Sequence, residues 1–326
     1  MTQKQRIGIL TYDGCMGVEV FAITDTLRIA SNIAHALQKG LGTDYEIELL
    51  SVQKKIVCMA GDIEVRTKNP SGVYELIIVP GPEIRAQQNW SEKLARLKKE
   101  CQFLKNAALQ GSRIASICVG SFILAEAGLL KGRRVTSAWL FAEDFRERYP
   151  DCHLDTNEIL IEDEFILTTA AMSASFDLAM HLVKQRMGEK VARTTAKMTL
   201  LHSPRRSQAP FIDPSFIQKK SSPFSQKVES WLRAHLQEPF DLTQLAQRFL
   251  VSERTLLRRV KADTGASPLV LLQNARIEKA KQMLSSGNTS LARIMEEVGY
   301  QDVAAFSRLF SRIVGESPAK YRRRMQ

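Results

Sequence analysis

The chain has 326 residues, of which 44% are hydrophobic and 25% charged, with 17 Gly and 11 Pro. This composition excludes a disordered, collagen-like or disulfide-scaffold protein, and the length predicts two domains with hydrophobic cores. The formal charge of +11 makes a polyanion a candidate partner. Five cysteines without a C-x-x-C pair favour a reducing compartment, and the N-terminus lacks the pattern of a signal peptide. We therefore expect a cytoplasmic protein without a membrane span.

The positive charge is concentrated in the C-terminal part of the chain. Residues 1–183 carry 20 basic and 23 acidic residues, residues 184–221 carry 9 and 2, and residues 222–326 carry 17 and 10. This asymmetry predicts two functions on one chain, with the polyanion bound by the C-terminal part. Between the parts, a segment without apolar periodicity contains four prolines, counted through Pro223. We predict an N-terminal domain at 1–201, a linker at 202–222 and a C-terminal domain at 223–326.

The N-terminal domain alternates strand-like and helix-like segments. Apolar, β-branched segments predict strands at 6–12, 45–52, 76–79 and 113–117. Apolar residues at helical spacing predict helices at 18–37, 91–108 and 176–187. The alternation predicts an α/β domain whose sheet is covered by helices on both faces. Ligands bind such folds beyond the carboxyl ends of the strands, which nominates the loops at 12–17, 80–83 and 118–121.

The loop around Cys118 carries the clearest chemical pattern of this domain. Cys118 lies between a predicted buried strand and a predicted helix, and Gly120 and Ser121 permit a sharp turn. That is the arrangement of a nucleophile elbow. The dipole of the helix favours the thiolate, and Glu19 in the first loop is placed to hydrogen-bond it. Alternatively, Cys118 is a small packed hydrophobe, since free cysteines are often buried.

The C-terminal domain contains a repeat with an offset of 50 residues. The two copies share an apolar-x-Arg-x-apolar pattern, at 256–260 and 306–310, and a Gly-x-Ser-Pro pattern, at 265–268 and 315–318. In each copy an apolar helix is followed by a turn and a second helix that ends in Gly and then Pro. Each copy therefore predicts a helix-turn-helix unit, and one long helix at 268–283 joins the two.

The second helix of the first copy is predicted to enter a major groove of DNA. Ser252 is a candidate N-cap of this helix, and Arg254, Arg258 and Lys261 lie on one outward face at i, i+4 and i+7. Arg258 is the best candidate for a bidentate contact with guanine. The alternative is a solvated basic stripe without a ligand. The helix-turn-helix context favours DNA.

The second copy offers fewer polar groups to the bases. Asp302 is a candidate N-cap, and Ala304, Arg308 and Arg312 face outward. We expect Arg308 to be the chief base reader of this copy, which otherwise contributes positioning. The basic residues of the linker are predicted to add phosphate contacts; they are Arg205, Arg206, Lys219 and Lys220.

The C-terminal run Val298-Gly-Tyr-x-Asp302, continued through 306–310 and 315–322, resembles the signature of AraC/XylS-type transcription regulators. The resemblance covers roughly the last 100 residues. It implies an all-α DNA-binding domain with two helix-turn-helix units, which acts as a homodimer on direct repeats near promoters and contacts RNA polymerase. Position by position, it places the base-facing residues at Arg254, Thr255, Leu257 and Arg258 in the first copy and at Ala304, Ala305, Ser307 and Arg308 in the second.

The segments 118–134, 136–139 and 176–183 resemble the ThiJ/PfpI domain, which is fused to an AraC-type domain in GlxA-type regulators. The resemblance implies a flavodoxin-like α/β fold of the class I glutamine amidotransferase-like kind. Enzymes of this superfamily commonly pair the elbow cysteine with a following histidine, but here that residue is Val119. Ala138 stands where related regulators often have histidine before the tryptophan. These departures favour a ligand-sensing pocket over a site of turnover.

The resemblance also indicates what the pocket binds. Related regulators sense small nitrogenous metabolites, so Trp139 is a candidate cation–π face and Glu19 a candidate carboxylate partner. The candidate effector-binding residues are Glu19, Gly81, Pro82, Cys118, Val119 and Trp139. No metal-ligand spacing, phosphate loop or dinucleotide fingerprint is present, so no cofactor is predicted.

These patterns predict a cytoplasmic transcription regulator, and an activator in preference to a repressor. Its predicted partners are promoter DNA, RNA polymerase, a second copy of the chain and a small effector. One alternative is a cysteine-dependent hydrolase or hydratase with a DNA-binding tail. Another is a general nucleic-acid binder without an effector, which is disfavoured because it leaves the N-terminal domain without a use.

Overall fold

The computed structural model describes residues 5–37, 44–84, 89–201, 205, 207–212, 222–286 and 289–325. The chain divides into two compact units, Met1–Gln208 and Ala209–Gln326. The division falls within the segment predicted as a linker, of which Arg206, Lys219 and Lys220 lie outside the described residues. None of the helices in the described ranges combines the length and the apolar character needed to cross a bilayer.

The first unit is built on a six-stranded sheet, which confirms the predicted α/β fold. Its strands, in spatial order, are β2 (Tyr45–Leu50), β1 (Gln5–Leu10), β5 (Leu76–Val79), β6 (Arg113–Ser116), β10 (Ile166–Thr169) and β9 (Leu160–Asp163). Five strands are parallel, and β9 pairs antiparallel with β10. The inner strands β5 and β10 are buried along their whole length, as expected for a parallel sheet covered on both faces.

Two small sheets complete the strands of this unit. The first is the antiparallel pair β3 (Ile56–Met59) and β4 (Ile63–Arg66), and the second is the parallel pair β7 (Arg134–Val135) and β8 (His153–Leu154). Neither pair was predicted, and neither were β9 and β10. Each of these strands has only two residues or includes polar or exposed residues, so none shows the continuous apolar run that predicted β5.

The helices of the first unit partly differ from the prediction. They are α1 (Gly17–Leu37), α2 (Trp90–Ala95), α3 (Lys98–Leu109), α4 (Gly120–Glu126), α5 (Ala142–Arg148) and α6 (Ala174–Met198). The single helix predicted at 91–108 is two helices, because the chain breaks at Arg96 and Leu97. The helix predicted to end at Met187 continues to Met198 after a kink at Gly188, whose φ is 83°.

The second unit is entirely helical in its described residues and contains both predicted helix-turn-helix units. Its helices are α7 (Pro223–Ala234), α8 (Leu242–Arg248), α9 (Glu253–Thr264), α10 (Pro268–Ser285), α11 (Leu291–Glu297), α12 (Val303–Val314) and α13 (Pro318–Met325). Ser252 caps α9 by accepting from the Thr255 N–H, and Asp302 caps α12 by accepting from the N–H groups of Ala304 and Ala305. Both predicted N-caps are therefore confirmed.

Arg276 of the long helix α10 joins the two halves of this unit. Its side chain is 7% exposed, and its guanidinium donates to the carbonyl oxygens of Leu236 at 2.8 Å and Glu238 at 2.6 Å. The same guanidinium lies 5.3 Å from the centre of the Tyr300 ring, in the turn before α12. Both carbonyls belong to the loop after α7. One buried cation thus fixes the first helix-turn-helix unit against the second.

The turns of the two helix-turn-helix units differ at one equivalent position. Leu250 and Gly299 both follow the first helix of their unit, and both have left-handed backbones, with φ of 54° and 71°. The second turn is one residue longer, so these positions are 49 residues apart although the following helices keep the offset of 50. Leu250 is 93% exposed. A leucine therefore occupies a conformation that favours glycine and gains almost no burial there.

We expect Leu250→Gly to stabilise the second unit by about 0.5–1 kcal/mol, because it removes the steric cost of the left-handed conformation. Thermal unfolding of the full chain measures this change. Leu250→Ala is the matched control, since alanine keeps a Cβ and should leave the stability nearly unchanged. A destabilised Leu250→Gly variant would contradict the interpretation.

Candidate functional site: the elbow and the recognition helices

The turn at Cys118 has the strained geometry of the predicted elbow. Cys118 follows β6 directly after Ile117 and has a φ of 56°, which is uncommon for a residue other than glycine. Its N–H donates to the carbonyl of Ala170 at 2.9 Å. A Cβ on Gly120 would lie 2.4 Å from the carbonyl oxygen of Val79, so only glycine fits where α4 begins. The predicted sharp turn from strand to helix is present.

Glu19 lies against the elbow, as predicted. The residue is 1% exposed, and its Oε2 accepts from the Gly81 N–H at 2.6 Å. Its other oxygen, Oε1, has no hydrogen-bond partner within the described part of the chain. Burial raises the pKa of Glu19 to about 7, although hydrogen bonds from the Gly81 N–H and the Cys118 thiol lower it in part. The carboxyl group therefore changes its charge near neutral pH.

The thiol of Cys118 is not activated. Burial, reinforced by the negative charge of Glu19, raises the pKa of Cys118 well above its ordinary value. Hydrogen bonds from the backbone N–H groups of Val119 and Met172 lower the pKa of Cys118, but by less than burial raises it. The prediction that the helix dipole favours the thiolate is therefore wrong, because α4 has only seven residues and the desolvation cost is larger. The thiol stays protonated at neutral pH.

Two serine hydroxyls support the elbow from within the domain. The Oγ atoms of Ser121 and Ser137 each lie 3.2 Å from the Cys118 carbonyl oxygen and are 2.7 Å apart. Both residues are fully buried. Ser137 was not among the candidate site residues, although it lies in the segment 136–139 that carries the family resemblance. It connects the elbow with the segment that contains Trp139.

The structure brings together most of the predicted effector residues. A Cβ on Gly81 would lie 3.0 Å from Val119 and 3.4 Å from Glu19, so these residues and Cys118 form one cluster. Pro82 pairs with Cys15 through an isolated antiparallel bridge next to the cluster. Val119 is 1% exposed and belongs to the hydrophobic core, so it presents no side-chain surface to a ligand. Cys118 is more accessible than the other members.

The described hydrogen bonds do not join Trp139 directly to this cluster. It begins a 3-10 helix at Trp139–Phe141 and is half-buried. Its backbone N–H donates to the side-chain oxygen of Gln208 at 3.3 Å. Its link with the elbow runs through Ser137, two residues earlier in the chain. A cation–π role for the Trp139 ring remains a prediction.

The outward face of α9 carries the predicted cationic stripe. The side chains of Arg254, Arg258 and Lys261 are exposed, and none of them forms a hydrogen bond or ion pair with a described residue. Leu257 is 37% exposed on the same helix. Thr255 is half-buried, and its hydroxyl lies 2.9 Å from that of the N-cap Ser252. Three unpaired cations therefore remain on one face of the first recognition helix.

The face of α12 is organised differently. Ala304, Arg308 and Arg312 are exposed, whereas Ala305 and Ser307 are half-buried. The two arginines line a groove of about 460 Å³, whose other lining residues are Gln273, Tyr300, Ala305 and Leu309. Gln273 and Tyr300 were not predicted as site residues, because α10 and the turn approach α12 only in the folded domain.

The comparisons with known proteins agree with both parts of this geometry. The model of the DJ-1/PfpI family matches residues 5–185, which is more than half of the chain. The chain belongs to the DJ-1/PfpI family. A model described as a helix-turn-helix domain matches residues 245–324. The predicted combination of a ThiJ/PfpI domain with an AraC-type DNA-binding domain is therefore confirmed.

Relatives with both domains occur among curated regulators. The chain is 24% identical over 320 residues to the HTH-type transcriptional regulator GbdR of Pseudomonas aeruginosa, covering 96% of this chain and 83% of that protein. It is 27% identical over 230 residues to the HTH-type transcriptional regulator GlxA of Rhizobium meliloti, covering 68% of each. The fold is similar to the crystal structure of a ThiJ/PfpI family protein from Pseudomonas syringae, with a TM-score of 0.51 and 17% identity, covering 63% of this chain and 78% of that one.

The DJ-1/PfpI domain of this chain shows no histidine acting on its elbow among the described residues. The groups that act on the Cys118 thiol are Glu19 and the backbone N–H groups of Val119 and Met172. His35 is paired with Asp44 and His181 with Glu162. In the described ranges, no cluster of three or more His, Cys, Asp and Glu side chains is placed to hold a metal ion. Among the described residues, burial and Glu19 rather than a histidine therefore set the protonation state of the Cys118 thiol.

Proposed function

We propose that the chain is a transcription regulator that binds promoter DNA through α9 and α12 and binds a small effector in its DJ-1/PfpI domain. The observation that carries the proposal is the unpaired cationic face of α9, on the second helix of a helix-turn-helix unit. A DNA-binding face keeps its cations free for phosphates and base edges, and the position of this face on the second helix of a helix-turn-helix unit favours DNA over a solvated stripe without a ligand. Both curated relatives are named as transcriptional regulators.

The structure supports some of the predicted DNA contacts more than others. We propose that exposed, unpaired cations make the main contacts, namely Arg254, Arg258 and Lys261 on α9 and Arg308 and Arg312 on α12. Leu257, Ala304 and Ala305 offer only apolar contacts such as those with thymine methyl groups. Thr255 and Ser307 are half-buried and have less reach. Among the linker residues, Arg205 is already paired with Asp177 and is not a free phosphate ligand.

We expect Arg258→Ala to weaken binding to the preferred DNA sequence by about 10- to 100-fold, which corresponds to about 1–3 kcal/mol for the loss of one bidentate base contact. Fluorescence anisotropy with DNA selected from random sequence by the full chain measures the effect. Binding to unrelated DNA should change much less, because phosphate contacts dominate there.

Arg233→Ala is the matched control for this substitution. Arg233 is an exposed arginine on α7, outside both recognition helices. Its removal lowers the net charge by the same amount, so it should reduce the affinity only slightly and equally for all sequences. If both variants lost affinity to the same degree, Arg258 would not be a base reader.

The effector pocket is proposed at the cluster of Glu19, Gly81 and Cys118, with Pro82, Val119 and Trp139 as its surroundings. The unpaired Oε1 of Glu19 is a free acceptor that suits an ammonium or amine donor. A small nitrogenous metabolite is therefore the proposed effector class. A thermal-shift screen of the full chain against amino acids, amines and quaternary ammonium compounds tests this proposal, because a ligand of the native state raises Tm. A shift that Glu19→Gln abolishes supports the pocket, and a panel without any shift contradicts it.

We further propose that the regulator acts as a homodimeric activator in contact with RNA polymerase. A dimer is the arrangement that repeated half-sites require. Effector binding must then favour the dimer arrangement that binds DNA, since a ligand shifts an equilibrium only by its differential affinity. Sedimentation of the full chain with DNA that carries two half-sites measures the stoichiometry. One copy per DNA would contradict the dimer.

One observation favours a second candidate function. A buried carboxyl group whose pKa is about 7 beside a cysteine is also an arrangement for proton transfer in a hydrolase or hydratase. Cys118→Ser separates the two functions. Loss of a measurable turnover would support the enzyme, whereas an unchanged effector response in the variant would support the sensor.

A further inference from the structure

Arg205, Ser207 and Gln208 lie just before the DNA-binding unit and contact the segments 136–139, 157–158 and 173–177 of the DJ-1/PfpI domain, which we call the groove. Gln208 is 2% exposed, although it lies in a segment predicted as a linker. Its side-chain nitrogen donates to the Ser137 carbonyl oxygen at 2.9 Å and lies 3.2 Å from the Thr136 hydroxyl. Its side-chain oxygen accepts from the Trp139 N–H at 3.3 Å. The carboxamide thus has both a donor and an acceptor partner within the groove.

The backbone of the same segment is also held. The Gln208 N–H donates to the Asn157 carbonyl at 2.8 Å, and Ser207 forms an antiparallel bridge with Glu158. Three residues earlier, the Arg205 guanidinium pairs with Asp177 and donates to the Ser173 hydroxyl at 3.0 Å. The segment therefore has one buried anchor at Gln208 and one partly exposed anchor at Arg205.

The groove is specific for a carboxamide at its buried anchor. A leucine of similar size would leave the Trp139 N–H and the Ser137 carbonyl without this partner in a buried place, which is costly. A glutamate could accept from Trp139 but could not donate to Ser137 or Thr136 while ionised. Only an uncharged group that both donates and accepts satisfies this site.

Both anchors contact segments that also touch the elbow. Ser137, whose carbonyl accepts from Gln208, places its hydroxyl 3.2 Å from the Cys118 carbonyl oxygen. Ser173, which accepts from Arg205, directly follows Met172, whose N–H acts on the Cys118 thiol. A ligand at the elbow that shifts either segment would change how well the groove holds Arg205 and Gln208.

We propose that this groove is a docking site for Arg205, Ser207 and Gln208 of the same chain, and that its occupancy sets the length of free chain before the DNA-binding unit. The unit that contains α9 and α12 begins at Ala209, directly after the buried anchor. Release of the four positions 205–208 lengthens the free chain by up to about 14 Å. The proposal rests on the proposed function, since effector binding in the pocket would control DNA binding by changing how well the groove holds Arg205 and Gln208.

Hydrogen exchange of the full chain tests the docking. We expect the Gln208 amide to exchange at least about tenfold faster in Gln208→Leu and in Arg205→Ala, because each variant removes one anchor. Gln102→Leu is the matched control, since Gln102 is exposed and bonded only to Asn106 of its own helix. Arg205→Ala keeps the test decisive if Gln208→Leu fails to fold. Unchanged exchange in Arg205→Ala would overturn the docking site.

DNA spacing tests the consequence for the connection. The probe is DNA with two half-sites selected by the wild-type chain, and the same DNA with five base pairs inserted between them. We expect the insertion to weaken wild-type binding at least about tenfold and to weaken Arg205→Ala binding about threefold or less, since a longer connection tolerates both spacings. Equal losses would overturn the role of the groove. If the wild-type chain selected no DNA, the proposed function would fail, and the exchange rates would still decide the docking.

Discussion

Gly299→Ala is expected to destabilise the DNA-binding unit by about 3 kcal/mol. The φ of Gly299 is 71°, and a Cβ there would lie 2.5 Å from the Leu236 carbonyl oxygen and 2.9 Å from that of Gln237. The left-handed conformation costs alanine about 1 kcal/mol, and forced overlap in a packed region costs about 1–3 kcal/mol more. Both carbonyls are backbone atoms, so they cannot rotate away. The same Cβ would lie 2.9 Å from the guanidinium of Arg276, which joins the two helix-turn-helix units.

Thermal or urea unfolding of the full chain measures this loss, and Gly265→Ala is the matched control. Gly265 has nearly the same backbone, with a φ of 72°, but a Cβ there would meet nothing within 4 Å. The control should therefore lose only the conformational cost of about 1 kcal/mol. If the two variants were equally stable, the close approach of Gly299 to the loop after α7 would not contribute to the loss of stability.

Between about pH 4.5 and pH 7, the free energy of unfolding of the wild type is expected to fall by about 3 kcal/mol because of Glu19, and Glu19→Gln is expected to remove this loss. The carboxyl group ionises near 4.5 in the unfolded chain, whereas burial raises the pKa of Glu19 to about 7 in the folded chain. Between these values the folded state binds more protons than the unfolded state, so wild-type stability falls as the pH rises from about 4.5 to 7. A difference of about 2.5 pKa units corresponds to about 3 kcal/mol. Glutamine removes this cost and keeps an oxygen that accepts from the Gly81 N–H.

Urea unfolding between pH 5 and pH 8 measures the difference between Glu19→Gln and the wild type. The free energy of unfolding of the variant, relative to that of the wild type, should increase as the pH rises, and most of this increase should appear below pH 7. Glu48→Gln is the control, because the neighbouring Lys68, Tyr74 and Arg6 lower the pKa of Glu48. Its carboxyl group is therefore ionised throughout this pH range, so the stability that the variant loses should not vary between pH 5 and pH 8. A Glu19→Gln difference that did not vary with pH would contradict the buried, neutral carboxyl group.

The sequence was sufficient to predict the elements that depend on local signals. The N-caps Ser252 and Asp302, the glycines that end α9 and α12, and the strand before Cys118 all follow from residue types at fixed spacing. These signals lie within a few residues of the structure that they specify. The family resemblance then supplied the arrangement of the parts.

The features that were missed depend on contacts between distant residues. The strands β9 and β10 both include polar residues, and they join the sheet through the pairing of β10 with β6 and of β9 with β10. The residues around Gln208 have the composition of a linker. Its hydrogen-bond partners Ser137 and Thr136 lie 71 and 72 residues earlier in the sequence, so only the folded domain shows them. The thiolate prediction failed for a related reason. The helix N-terminus is readable in the sequence, but the burial that outweighs it is a property of the packed domain.

The protonated thiol at the elbow bears on how this protein tolerates oxidants. Peroxides react with the thiolate, so a cysteine that stays neutral at physiological pH enters the series from sulfenic to sulfonic acid only slowly. Cys118 is held neutral by burial and by Glu19, although its elbow geometry is that of a reactive residue. We therefore expect the Cys118 thiol to react with peroxides more slowly than its elbow geometry alone would suggest.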